Sequence, residues 1–318
     1  MTDLNDEAAR RVGLADAIVI PNERAKEAHS AFDYLRLRAH QRSDRGTTGV
    51  LMVGPSQTGK STILHSYRRR LNTPQALEDG RIPVLLVTLT ANQTRKGLAQ
   101  DILRAIDAFG YQTVWQKGTE NQLLSRVQAN IKQHKVELLI LDEIQHLVHS
   151  DNQKLASSVS DTIKWLLMES VVPVVMSGVE EAWLPFRANL QLQKRCAAPI
   201  VMDPLDLAKR EDQHLFRSFL VSFMVEVEAQ NIIADATGVL TENRVPECIY
   251  EASEGVLGQA CNLIKDALYL AIRRGSDALS VSDLSEATDR CWVAFDRLRI
   301  NPFVHGIAPV RPVRRMGR

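Results

Sequence analysis

The stretch GPSQTGKST, Gly54 to Thr62, follows the apolar run Val50-Leu51-Met52-Val53. Gly54, four residues, then Gly59-Lys60-Ser61 fits G-x-x-x-x-G-K-[ST], a loop whose backbone N–H groups wrap phosphates. The residue types suit that chemistry. Glycines at 54 and 59 permit unusual backbone angles and let main-chain donors approach a triphosphate closely. Lys60 can reach β- and γ-phosphate oxygens, and the Ser61 hydroxyl can bind Mg²⁺. A helix starting near Lys60 adds the positive end of its dipole. The expected nucleotide-binding residues are Gly54, Pro55, Ser56, Gln57, Thr58, Gly59, Lys60, Ser61 and Thr62, with ATP and Mg²⁺ as ligands.

A second element adds a reaction to the binding. Leu138-Leu139-Ile140-Leu141 ends in Asp142-Glu143. Asp142 is expected to hold Mg²⁺, directly or through water, and Glu143 to polarise the attacking water. A glutamate beside the metal aspartate points to water as acceptor, hence to hydrolysis. A small-molecule kinase would need an acceptor-site motif, and none is visible. Ser177 closes the run Val174-Val175-Met176. It fits a γ-phosphate sensor and equally a residue that opens a loop. Arg195, with Lys194 beside it, precedes a short apolar run. A basic residue there can face a neighbouring subunit's nucleotide, and it also suits a solvated helix end.

These residues need a scaffold. Five apolar runs read as strands buried on both faces: Gly49–Val53, Ile82–Leu89, Val136–Leu141, Val171–Met176 and Pro199–Met202. Helical patterns alternate with them, which means an α/β domain with a parallel sheet. After Pro204 the strand signals stop. Helices are expected over Lys209–Gln230, Val245–Ser253, Leu257–Arg274 and Val281–Arg299, and another over Arg24–His40. The expected organisation is an N-terminal extension (1–23), an α/β core (24–204), a small all-helical lid (205–300) and a flexible basic tail (301–318).

Net charge is +1, so any nucleic-acid contact has to come from a local patch. Four scattered cysteines without a C-x-x-C pair indicate neither a zinc site nor a disulfide framework. The polar N-terminus is no signal peptide, and no apolar run approaches a bilayer span. A cytoplasmic protein without membrane contact is expected.

The phosphate loop, DEIQHL at Asp142–Leu147, VVPVVMSGVEEA at Val171–Ala182 and NLQLQKR at Asn189–Arg195 resemble the TniB/TnsC group, AAA+ ATPases of DNA transposition. The resemblance spans about Ile18 to Leu298. It implies an AAA+ core with a five-stranded parallel sheet and a helical lid. It implies a regulator that oligomerises on double-stranded DNA with ATP, as a ring or helical filament. Such a regulator selects targets and recruits a transposase, with a TniQ-like targeting protein as a further partner. Carried over, Lys60 and Ser61 hold phosphate and metal, Asp142 and Glu143 are the metal and water residues, Ser177 is the sensor, and Arg195 is the finger acting in trans. The adenine is expected near Ile18–Asn22. One departure is that Gly258-Gln259 stand where many AAA+ lids carry a sensor arginine.

For DNA, the candidates are Arg95, Lys96, Lys117 and Thr119, in loops that resemble the family's DNA-facing elements. A solvated helix start and loop would look the same. Two other readings share the nucleotide motifs: an ATP-gated scaffold with negligible hydrolysis, and a secretion ATPase of the ExeA kind. The second would want a membrane span or a peptidoglycan-binding module, and neither is visible.

Overall fold

Both faces of the sheet are covered, and this is why its strands are almost purely Val, Ile, Leu and Met. The computed structural model describes residues 4–40, 48–90, 94–147, 163–167, 172–242 and 244–307. Its contacts divide the chain into two units. One joins residues 24–56 and 60–202; the other joins residues 1–23, the three residues 57–59, and the chain from Asp203 onward.

The first unit carries the sheet. Its strands are β1 (Gly49–Val53), β2 (Val84–Thr88), β3 (Leu138–Asp142), β4 (Val174–Gly178) and β5 (Ile200–Val201). They are parallel, in the order β2-β3-β4-β1-β5. Each overlaps an expected run, with β3 and β4 continuing past its end to Asp142 and Gly178. Alternate residues feed two cores. Leu51, Leu139, Leu141 and Met176 pack with the helices Arg95–Asp107 and Glu120–Gln133. Val50, Met52, Ile140 and Val175 pack with Phe32, Leu64 and Tyr67 from the helices Glu23–His40 and Lys60–Leu71. The order puts β4 between β1 and β3, so the ends of all three strands share one edge.

The second unit is helical: Arg210–Ala229, Val245–Ser253, Leu257–Arg273 and Val281–Thr288 surround a core that includes Phe216, Phe223, Leu263 and Ile264. The helix expected over Val281–Arg299 is shorter. It passes at Asp289–Val293 into a π-turn that buries Trp292, and Asp296 then turns left-handed. A π-turn inserts one residue and rotates the downstream side chains about the helix axis, which carries Trp292 onto the core. The N-terminal segment forms a helix, Leu4–Ala15, packed on Leu257–Arg273. Asn301 is buried and caps a short helix, Pro302–His305, by accepting from the Phe303 N–H at 2.9 Å. Residues 308–318, the rest of the basic tail, lie outside the described residues. Among the described residues no helix is long and apolar enough to cross a membrane.

Ile140 sits in β3 with 0% exposure. Ile140→Ala should destabilise the sheet unit by about 2–5 kcal/mol, through lost transfer energy and the cavity left behind. Urea unfolding of the full chain measures this, and a loss under about 1 kcal/mol would contradict the assigned core.

Candidate active site

The loop between β1 and the helix Lys60–Leu71 carries the phosphate-binding signature. Its two glycines answer to different constraints. Gly59 has φ +92°, a backbone that L side chains rarely adopt. Gly54 has no such angle; a Cβ there would lie 2.5 Å from the Met202 carbonyl oxygen, so the glycine lets the loop start close to the chain leaving β5. The angles expected of both glycines belong instead to Gly59 and to Gln57, at φ +65°.

Lys60 opens the helix and is buried. Its Nζ donates to the Gly54 and Pro55 carbonyls at 2.8 and 2.7 Å. Two neutral carbonyl oxygens thus satisfy this ammonium. Burial pushes its pKa below the ordinary lysine value, while Glu143 and Asp142 act in the opposite direction.

Ser61 and Asp142 meet, with Ser61 Oγ donating to Asp142 Oδ2 at 2.9 Å. Asp142 is the last residue of β3 and is buried. A hydroxyl and a carboxylate at this spacing form a hard oxygen donor set, the kind that suits Mg²⁺ alongside phosphate and water. Glu143 comes next, with φ +60°, which costs a non-glycine residue about 1–2 kcal/mol. Its N–H donates to Asp142 Oδ1 at 3.0 Å, and its Oε2 accepts from Gln145. The turn leads the chain out of the strand directly beside the Asp142 carboxylate.

Ser177 lies one residue from the end of β4, paired in register with Met52. Its Oγ is buried and has no hydrogen-bond partner among the described residues. An unpaired buried hydroxyl costs about 1–3 kcal/mol, which a ligand oxygen would recover. Arg195 lies just past the short helix Leu190–Gln193, which Asn189 caps by accepting from the Gln191 and Leu192 N–H groups. The backbone of Arg195 is held at both ends. Its N–H donates to Leu192 and its carbonyl accepts from Gly49, both at 3.0 Å. Its side chain is half-buried.

The DNA candidates separate. Thr94 and Thr119 are N-caps, accepting from the Gly97 and Gln122 N–H groups at 3.0 and 3.4 Å. Arg95 is engaged within the fold: it pairs with Glu120 at 3.4 Å and lies 5.5 Å from the Trp165 ring centroid. That pair brings the starts of two helices together, and Lys96 and Lys117 are exposed. In the helical unit, Gln259 accepts from Arg297, whose guanidinium lies 5.0 Å from the Trp292 ring centroid.

A family model of the bacterial TniB protein matches residues 14–202. The chain belongs to the TniB family. No curated protein matches it. Several solved structures do. The ORC2 protein of Aeropyrum pernix, in ADPNP-ADP complexes, is 17% identical with TM-score 0.61, over 88% of this chain and 71% of that one. The ORC1 protein of the same organism, in complex with DNA, is 19% identical with TM-score 0.55, over 88% and 69%. Cdc6p of Pyrobaculum aerophilum is 11% identical with TM-score 0.58, over 86% and 69%. The resemblance read from the sequence motifs therefore holds, and so does the expected AAA+ fold with its helical module. This TniB-family chain shares its fold with those ORC and Cdc6 structures.

Lys60→Ala removes the buried charge at the start of this helix. ATP affinity should fall by about 100-fold or more while the fold persists. Titration with a fluorescent ATP analogue measures it, and wild-type affinity would contradict the assignment of this loop.

Proposed function

We propose that the protein is an ATP-dependent, DNA-binding regulator of transposition that hydrolyses ATP with Glu143 as the water-activating base. One observation carries the reading: the Ser61–Asp142 hydrogen bond, with Glu143 next in the chain. It joins the phosphate-loop helix to the acidic strand end inside a TniB-family chain. In the reaction, a water oxygen bonds to the γ-phosphorus as the bond to the β–γ bridging oxygen breaks. Glu143 takes the water proton, and ADP and phosphate leave. Lys60 and the loop N–H groups hold the β- and γ-phosphates, and the Ser177 hydroxyl is the group that meets a γ-phosphate oxygen. Mg²⁺, held by Ser61 and Asp142, would neutralise phosphate charge.

DNA enters through the phosphate backbone. The relative solved in complex with DNA supports this coarsely. The adjacent helix starts at Arg95 and Glu120, with exposed Lys96 and Lys117, support it locally. Arg95 holds the two starts together, and the lysines meet the phosphates. One subunit of net charge +1 makes few such contacts. An assembled ring or filament multiplies them along one duplex. Arg195 acts across subunits in that assembly, on a neighbour's γ-phosphate. A transposase and a TniQ-like protein are the partners such an assembly recruits.

Two outcomes test this reading. DNA binding should require ATP, be cooperative in protein, show little sequence preference and weaken steeply with salt. Lys96→Ala with Lys117→Ala should weaken binding uniformly and flatten the salt dependence, as read by fluorescence anisotropy of labelled duplexes. Nucleotide-independent binding at one defined sequence would contradict it. Arg195→Ala should keep ATP binding and lose oligomer-dependent hydrolysis by a factor of roughly 10³ or more. Mixing it with Lys60→Ala should restore part of the activity. No recovery in demonstrated mixed oligomers would remove the role in trans.

A further inference from the structure

The turn after β3 carries a buried polar side chain that phosphate binding does not use. Gln145 is 6% exposed and lies in the 3₁₀ turn Ile144–Leu147. Its Nε2 donates to Glu143 Oε2. Its Oε1 accepts from the Val179 N–H at 3.3 Å. Val179 is the first residue beyond β4, two residues after Ser177. The backbone donor decides which way the amide faces. An N–H needs an oxygen acceptor, so the NH₂ end has to face the carboxylate.

The surroundings are shaped around this bridge. A Cβ on Gly178 would lie 2.6 Å from Gln145 Oε1 and 2.9 Å from the Ala182 Cβ. The absent side chain leaves the space that the amide crosses. At the other end, Glu143 uses one oxygen for the bridge. Its Oε1 accepts no hydrogen bond among the described residues. The amide therefore fixes the carboxylate by one oxygen and leaves the other for a water.

We infer that Gln145 is a positioning residue for hydrolysis: it ties Glu143 Oε2 to the end of the Ser177 strand and so aims Glu143 Oε1 at the attacking water. The inference rests on the reading of Glu143 as the base. It also gives the orphaned Ser177 hydroxyl a consequence. A movement of the β4 end on γ-phosphate contact passes through Val179 and Gln145 to the base. Glutamine is the side chain this geometry needs. Glutamate would set two carboxylates against each other, and an apolar residue would leave Glu143 free to rotate.

The test is turnover of the full chain on duplex DNA, with ATP affinity measured separately by a fluorescent ATP analogue. Gln145→Ala should lower kcat about 10–100-fold and leave KM and ATP affinity within about twofold. Gln145→Met keeps the buried volume without the amide and should do the same, so a packing defect in the alanine variant does not decide the matter. Gly178→Ala, which crowds the bridge, should lower kcat in the same direction. In a Glu143→Gln background, Gln145→Met should add no further loss, because its effect runs through that carboxylate. Unchanged kcat in Gln145→Met, or an equal loss in both backgrounds, overturns the inference and leaves Glu143 as base. Wild-type turnover in Glu143→Gln alone overturns the base reading, and this inference with it.

Discussion

The proposed site is built on one contact, the hydrogen bond from Ser61 Oγ to Asp142 Oδ2 at 2.9 Å. The two residues come from elements that are not neighbours in the sheet, because β4 lies between β1 and β3. The loop after β1 therefore has to pass the end of β4 to reach the end of β3. Parallel pairing makes this possible, since it brings all three strand ends to the same edge. It also demands small groups where β4 ends, and Ser177-Gly178 are there. The buried Lys60 ammonium and the left-handed turn at Glu143 both cost free energy for the fold alone. In the proposed function a polyphosphate across the strand ends offsets both.

The parts legible in the sequence are those with a period or a spacing. Runs such as Leu138–Leu141 could only be strands buried on both faces, and the phosphate loop declared itself by two glycines, a lysine and a hydroxyl. Strand ends were less clear. Ile82, Pro83, Val136 and Glu137 extend the apolar or polar pattern but precede the paired residues of β2 and β3. The helix Leu4–Ala15 gave little signal because its buried positions include Ala8 and Ala15. Alanine faces let helices approach closely while contributing little hydrophobic contrast. The break after Thr288 was hidden because apolar spacing continues through Trp292, and only an inserted turn carries that ring onto the core.

At the site, the sequence identified residue types but not what already occupied them. Arg95 looked like a free cation at a helix start. Its partners Glu120 and Trp165 are 25 and 70 positions away in the chain, and only the fold brings them together. Thr119 looked like a phosphate contact and is engaged as a helix cap. Gln145 was visible within DEIQHL, yet nothing in that motif says its amide reaches the strand after β4. Long-range polar pairs of this kind leave no period to read. They appear once a buried donor and acceptor have to be accounted for.

The proposed function makes the Ser61–Asp142 edge, with Glu143 beside it, a metal-assisted site for ATP hydrolysis. Phosphate release from ATP by the full chain on duplex DNA, with Mg²⁺ and then with the metal removed by chelation, tests it most directly. Sustained, multiple-turnover release is expected with Mg²⁺, stopping on chelation and returning when Mg²⁺ is restored. Equal release with and without the metal, or no release in either condition from a chain that binds ATP, would contradict it.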